Sequence, residues 1–174
     1  MFTLSALREK PILQIPVTLI TLGLMWLVPF LIHLIPFSGT VPLGARLLPI
    51  FYAPLLAAWL FNPIVGIASS LLMPFINYAF TGMPTFNVAV MLSVELGVFS
   101  LIQTIYKTRY PRLSLLAPFA VIAGKTVSAL LLFIIPLVPL SPWAYFTSSV
   151  VSAIPGLLVL LAINLSLIRL FYER

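Results

Sequence analysis

The sequence predicts an all-α, polytopic membrane protein with six transmembrane helices. Three observations carry this. The chain of 174 residues is 62% hydrophobic and only 7% charged, where a water-soluble domain has about 25% charged residues. Its apolar residues fall in six runs separated by short turns. Its cations gather in clusters between those runs. A chain this short has too little polar surface to cover so much apolar side chain, so lipid must be the solvent for most of it.

The six expected spans are 12–36, 44–61, 64–80, 87–106, 114–138 and 143–170. The first, ILQIPVTLITLGLMWLVPFLIHLIP, follows a polar head with Arg8, Glu9 and Lys10. At 1.5 Å per residue it is long enough for a hydrocarbon core of about 30 Å. It ends without a small-residue cleavage site, which predicts a retained span and not a signal peptide. A loop FSGTVPL leads to the second run, which holds Arg46, Pro49 and Pro54. Asn62-Pro63 marks a tight turn. The third run carries Pro74 and ends at the turn of Gly82 and Pro84. Asn87 is the expected N-cap of the fourth. The loop KTRYPRL precedes the fifth run, and the proline-dense 139–142 precedes the sixth. The second and third runs are short; a re-entrant hairpin is the alternative to two spans there.

Six spans put both ends on one side. The head, the loop after span four and the C-terminal end with Arg169 and Arg174 carry seven of the nine Lys and Arg. The loops after spans one, three and five carry none. The positive-inside rule then places both termini in the cytoplasm. Five spans would split the KTRYPR cluster from the tail. This pattern also explains the net charge of +6 without a nucleic-acid partner. The membrane expected is a bacterial or archaeal inner membrane.

The chain has no cysteine, which excludes disulfides, thiolate metal sites and a cysteine nucleophile. Its 16 prolines include Pro29, Pro49, Pro54, Pro74, Pro118 and Pro155 inside spans. Each removes a backbone donor and frees a carbonyl that a neighbour must satisfy. Small residues at a spacing of four, Gly66 and Ser70, then Ser148, Ser152 and Gly156, predict faces of close helix packing.

Charge inside the spans is the chemical signal. Of the three acidic residues, only Glu95 is internal. It lies about 12 Å below the outer start of span four. Lys125 lies about 20 Å from the outer end of span five if that run is straight. An ionised side chain at mid-bilayer costs about 2.5–3.5 kcal/mol on insertion scales, so such residues face the bundle interior and pair. Glu95 and Lys125 are the expected pair. Arg46, within a turn of the outer end of span two, is left to meet an anion or to snorkel to the surface. Asn77, Tyr78, Phe86, Asn87 and Tyr145 fall at the same level. With Arg46, Glu95 and Lys125 they form the expected substrate-binding set, although an aromatic belt needs no ligand. No catalytic residue, metal site or cofactor is expected. There is no Walker A pattern, and the single His33 lacks the partners a zinc site needs.

One stretch carries a family resemblance. Residues 47–102 run LLPIFYAPLLAAWLFNPIVGIASSLLMPFINYAFTGMPTFNVAVMLSVELGVFSLI: an LP…P run, a turn, a small-residue run, Gly82-Met83-Pro84, then a helix with Glu95-Leu96-Gly97. This resembles the substrate-binding (S) components of energy-coupling factor (ECF) vitamin transporters. It covers about a third of the chain; the rest fits in topology. The resemblance implies binding of a vitamin or related micronutrient from outside. It also implies association with a transmembrane coupling protein and two cytoplasmic ATPases, and no chemistry by the chain itself. Arg46 and Lys125 would favour a substrate with a carboxylate or phosphate. The first span departs from the family's A-x-x-x-A pattern, its small residues being Thr18, Thr21 and Gly23, which leaves a solitary S component as an option. The competing expectations are a membrane scaffold or assembly subunit and, behind it, an intramembrane enzyme using Glu95 and Lys125.

Overall fold

The computed structural model describes residues 11–39, 41–110 and 112–172. Arg8, Glu9, Lys10, Glu173 and Arg174 lie outside the described residues. Among those described, seven α-helices and one 3₁₀ turn make up the regular structure. They are α1 (Pro11–His33), α2 (Leu43–Leu47), the 3₁₀ turn Pro49–Phe51, α3 (Tyr52–Leu60), α4 (Pro63–Thr81), α5 (Phe86–Arg109), α6 (Leu116–Leu131) and α7 (Pro142–Tyr172). Four of them, α1, α4, α5 and α7, are long and apolar enough to cross a membrane.

The second run, expected as one span over 44–61, is broken. Proline disfavours helical backbone in the residue before it, and Leu48 precedes Pro49. Leu48 turns left-handed at φ 55°, and its N–H donates to the Gly44 carbonyl at 3.1 Å. For a residue with a Cβ that conformation costs on the order of 1–2 kcal/mol. Burial of the Leu48 side chain in the core offsets it. The Tyr52 hydroxyl ties the break together by donating to the Leu47 carbonyl. Beyond the break, α3 has nine residues and spans only about 14 Å. Ala53, Pro54, Leu55, Ala57, Ala58 and Trp59 are all buried. A helix apolar on every side belongs inside a protein, and α3 is the strut around which α1, α4, α5 and α7 pack.

Both ends of α3 are secured. Pro54 falls in its first turn, where no helical donor is needed. At the other end, Lys107 Nζ donates to the carbonyls of Ala58 at 2.7 Å and Trp59 at 2.9 Å. The ammonium also lies 5.1 Å from the Trp59 ring centre. A cation on terminal carbonyls complements the helix dipole. Lys107, counted among the loop cations from the sequence, thus turns inward.

The remaining boundaries follow local chemistry. Asn62 caps α4, its Oδ1 accepting from the Ile64 N–H at 2.9 Å, with Pro63 at the first helical position. Gly82 ends α4 at φ 70°, a conformation that favours glycine, and donates to the Tyr78 carbonyl. The N-cap position of α5 is Thr85, not Asn87. The Thr85 carbonyl already accepts from the Ala89 N–H at 2.8 Å. Phe86 packs against Phe75 and Tyr78, which fixes the first turn two residues earlier than expected. The fifth run, expected over 114–138, stays helical only to Leu131. It loosens into three-residue turns, Phe133 N–H to Leu130 and Ile134 N–H to Leu131, ahead of Pro136 and Pro139. At 16 residues, α6 reaches about 24 Å, short of a full hydrocarbon core.

The helices α4 to α7 pack antiparallel, each on its successor, and α1 joins through α4. The surface is inverted relative to a soluble domain. Ile15, Leu19, Phe80, Phe133, Ile134 and Trp143 are exposed, while Ser69, Ser70, Ser100, Gln103, Ser128 and Asn164 are buried. Buried hydroxyls join helices: Ser70 to Ser100 at 2.5 Å, Ser93 to the Leu71 carbonyl at 2.8 Å and Ser128 to the Met91 carbonyl at 3.1 Å. The Asn164 amide donates to the Leu113 and Ser114 carbonyls at the start of α6. Apolar outside and polar within is the arrangement that suits a lipid solvent. Phe51 meets Phe99 edge-on, with ring centres 5.1 Å apart, at the heart of the core.

Candidate functional site

Two polar features stand out. The first joins α5, α6 and α7. Glu95 sits in mid-α5 and is 1% exposed. Gly124 of α6 lets the backbones meet there: a Cβ on it would lie 2.6 Å from the Glu95 carbonyl oxygen. The next residue, Lys125, then reaches the carboxylate, Nζ to Oε2 at 3.1 Å. Tyr145, in the first turn of α7, donates its hydroxyl to Oε1 at 2.6 Å. Both carboxylate oxygens therefore have internal partners. Lys125 is 6% exposed, and the early end of α6 puts it only six residues from that helix end. The 20 Å depth expected for a straight run shrinks to about 9 Å of helix.

The chemistry of this triad is that of a brace. The ion pair compensates two charges in a low-dielectric interior, and the phenol fills the remaining acceptor. The pair expected from the charge count is present, and the third member is Tyr145, selected from the sequence as an aromatic at the same level. Its role as a carboxylate partner had no signal in the spacing.

The second feature is a half-open cavity of about 370 Å³ lined by Gly39, Val41, Arg46, Val151, Ser152 and Pro155. One wall is Gly39 and Val41 with Arg46 of α2; the other is the middle of α7. Gly156 holds the walls together. A Cβ on it would lie 2.7 Å from the Leu47 carbonyl group and 2.8 Å from the Arg46 carbonyl oxygen, so only glycine allows this approach. Arg46 lies over the Phe37 ring, 5.4 Å from its centre. Among the described residues Glu95 is the one carboxylate, and Lys125 and Tyr145 occupy it. The Arg46 guanidinium has no ion pair among those residues.

The structure separates the remaining expected site residues from both features. Tyr78 and Phe86 stack edge-on at 5.8 Å on the α4–α5 turn, 40% and 53% exposed. Asn87 is exposed beside them and Asn77 is half-buried. None of the four lines the cavity or hydrogen-bonds to the triad. Sequence reasoning missed Ser152 and Pro155 as cavity walls, although both were visible, one as a member of the small-residue stripe and the other as a proline within a span. Among the described residues no group of three or more His, Asp or Glu is placed to hold a metal.

No family model matches this chain, and no curated protein and no solved structure matches it. Fold and site therefore define a class only: an all-α protein with several helices built to cross a membrane, braced by a buried carboxylate triad, with a basic cavity beside its longest helix.

Proposed function

We propose that this protein binds a small micronutrient, in the manner of an ECF-type S component, and serves its uptake across a bacterial or archaeal inner membrane. The observation that supports the reading is the Arg46 cavity. Its volume falls in the range of small-molecule pockets, and among the described residues its cation has no carboxylate of its own. In this reading the short segments 49–60 and 116–131 complete a six-pass bundle with both termini in the cytoplasm. The vitamin reaches the cavity from outside, and a coupling protein with two ATPases supplies the energy unless the chain works alone. The triad holds α7 against α5 and α6 so that the cavity wall keeps its shape.

A scaffold role is the second reading. The observation in its favour is the same triad, whose acceptors are all satisfied internally, as in a structural brace. Ligand retention by the purified full-length chain, read by native mass spectrometry over a vitamin panel, separates the two. A retained vitamin lost in Arg46→Gln supports uptake; retention of none supports the scaffold. Topology is checked by single cysteines, since the native chain has none. Cysteines near residues 9 and 173 should resist an impermeant reagent in intact cells, and one at residue 83 should react.

A further inference from the structure

The cavity has two polar walls, and among the described residues each lacks a partner. On one side stands Arg46, whose guanidinium lies over the Phe37 ring and has no ion pair among the described residues. On the other, two features of α7 coincide. Pro155 has no N–H, so the Val151 carbonyl loses its helical donor. The residue that loses the bond and the residue that withholds it both line the cavity. Ser152, between them, is also unusual. Thr147, Ser148, Ser149 and Ser166 of the same helix each bond their hydroxyl back to a backbone carbonyl. Ser152 alone among the described α7 serines and threonines makes no such bond, and it too lines the cavity. Unsatisfied polar groups in a membrane bundle are tolerated where they line a cavity that brings them partners.

We propose that this cavity takes a small organic anion that also carries a hydroxyl or amide N–H. Its carboxylate or phosphate meets Arg46, and its donor meets the Val151 carbonyl and Ser152 on the opposite wall. This rests on the solute-binding reading of the same cavity and narrows the substrate class. A fatty acid satisfies only the first wall, and a neutral polyol only the second. An anionic phospholipid headgroup bearing glycerol hydroxyls offers the same chemistry from within the bilayer.

The test uses the full-length chain in detergent and five probes. Pantothenate and biotin carry both an anion and a donor, octanoate the anion alone, panthenol the donors alone, and thiamine a cation. Retention is titrated by native mass spectrometry, with phosphatidylglycerol added in a separate arm. Pantothenate or biotin should bind at least tenfold more tightly than octanoate or panthenol. Arg46→Gln should cost that preference about tenfold or more, as loss of a charge-assisted bond. Ser152→Ala should cost about fivefold. Pro155→Ala gives the sharpest sign. It restores the N–H to the Val151 carbonyl, so thermal stability should rise while donor-bearing anions bind about fivefold more weakly. Panthenol or thiamine binding best, or affinity unchanged in Arg46→Gln and Pro155→Ala, overturns this inference and leaves a solute site of another class. Retention of no probe overturns the uptake reading beneath it. Phosphatidylglycerol retained in an Arg46-dependent way supports the recognition chemistry with lipid as its source, and also overturns uptake.

Discussion

Replacing Lys125 with methionine should be among the most damaging single changes in this protein, and a second change should reverse it. Methionine matches lysine in length, so the loss is electrical. The ammonium lies 3.1 Å from Glu95 Oε2, and the two side chains are 8% and 1% exposed. Removing one member of a buried pair leaves the other uncompensated and costs about 3–5 kcal/mol. Replacing both members with neutral groups of similar volume removes the cost and the charge together. In Glu95→Gln/Lys125→Met the glutamine still accepts the Tyr145 hydroxyl now held at 2.6 Å, so the double variant should fall within about 1 kcal/mol of wild type. The coupling between the sites should then exceed about 2 kcal/mol, well above the error of additivity at independent sites. The assay is reversible unfolding in mixed micelles with increasing denaturing detergent, followed by helix content. A single variant that loses less than about 1 kcal/mol, or a double variant as weak as the single one, would refute the brace.

Three further outcomes follow from other contacts. Gly156→Ala places a Cβ 2.7 Å from the Leu47 backbone; it should destabilise the fold by about 1–3 kcal/mol and shift Arg46, read by unfolding together with weakened anion retention. Lys107→Met removes two bonds to the terminal carbonyls of α3 and the contact with Trp59; a loss of about 1.5–3 kcal/mol in the same unfolding assay is expected. Gln103 is fully buried with neither side-chain amide atom hydrogen-bonded, so Gln103→Met should be neutral or stabilise by about 1 kcal/mol. A clear loss of stability there would mean that the amide does have partners in the folded protein.

Much of the build was legible in the chain. Hydrophobic run length marks α1, α4, α5 and α7, because a span must bury its own backbone bonds and therefore needs a continuous apolar stretch. Asn62-Pro63 and Gly82 mark boundaries for purely local reasons, a side-chain cap and a left-handed residue. The scarcity of acids made Glu95 and Lys125 each other's expected partners, since an internal charge in lipid has few alternatives. The break in the second run was not legible because composition does not distinguish a helix surrounded by lipid from one surrounded by protein. Leu48 and Pro49 break it locally, and burial of α3 on all sides then makes nine residues sufficient. Asn87 has the chemistry of a cap, yet the packing of Phe86 on Tyr78 starts the helix before it.

The sequence by itself determined the solvent of this protein, its helical class, its main turns and the identity of its buried ion pair. Those properties depend on composition and on neighbours within a few residues. Tertiary structure alone decided that Tyr145 completes the triad, that Lys107 caps α3 and that Arg46 faces Ser152 and Pro155 across a cavity. Each joins residues at least 48 positions apart in the chain, and their meeting depends on how closely helices approach. That approach is set at Gly124 and Gly156, where the absence of one carbon lets two backbones touch.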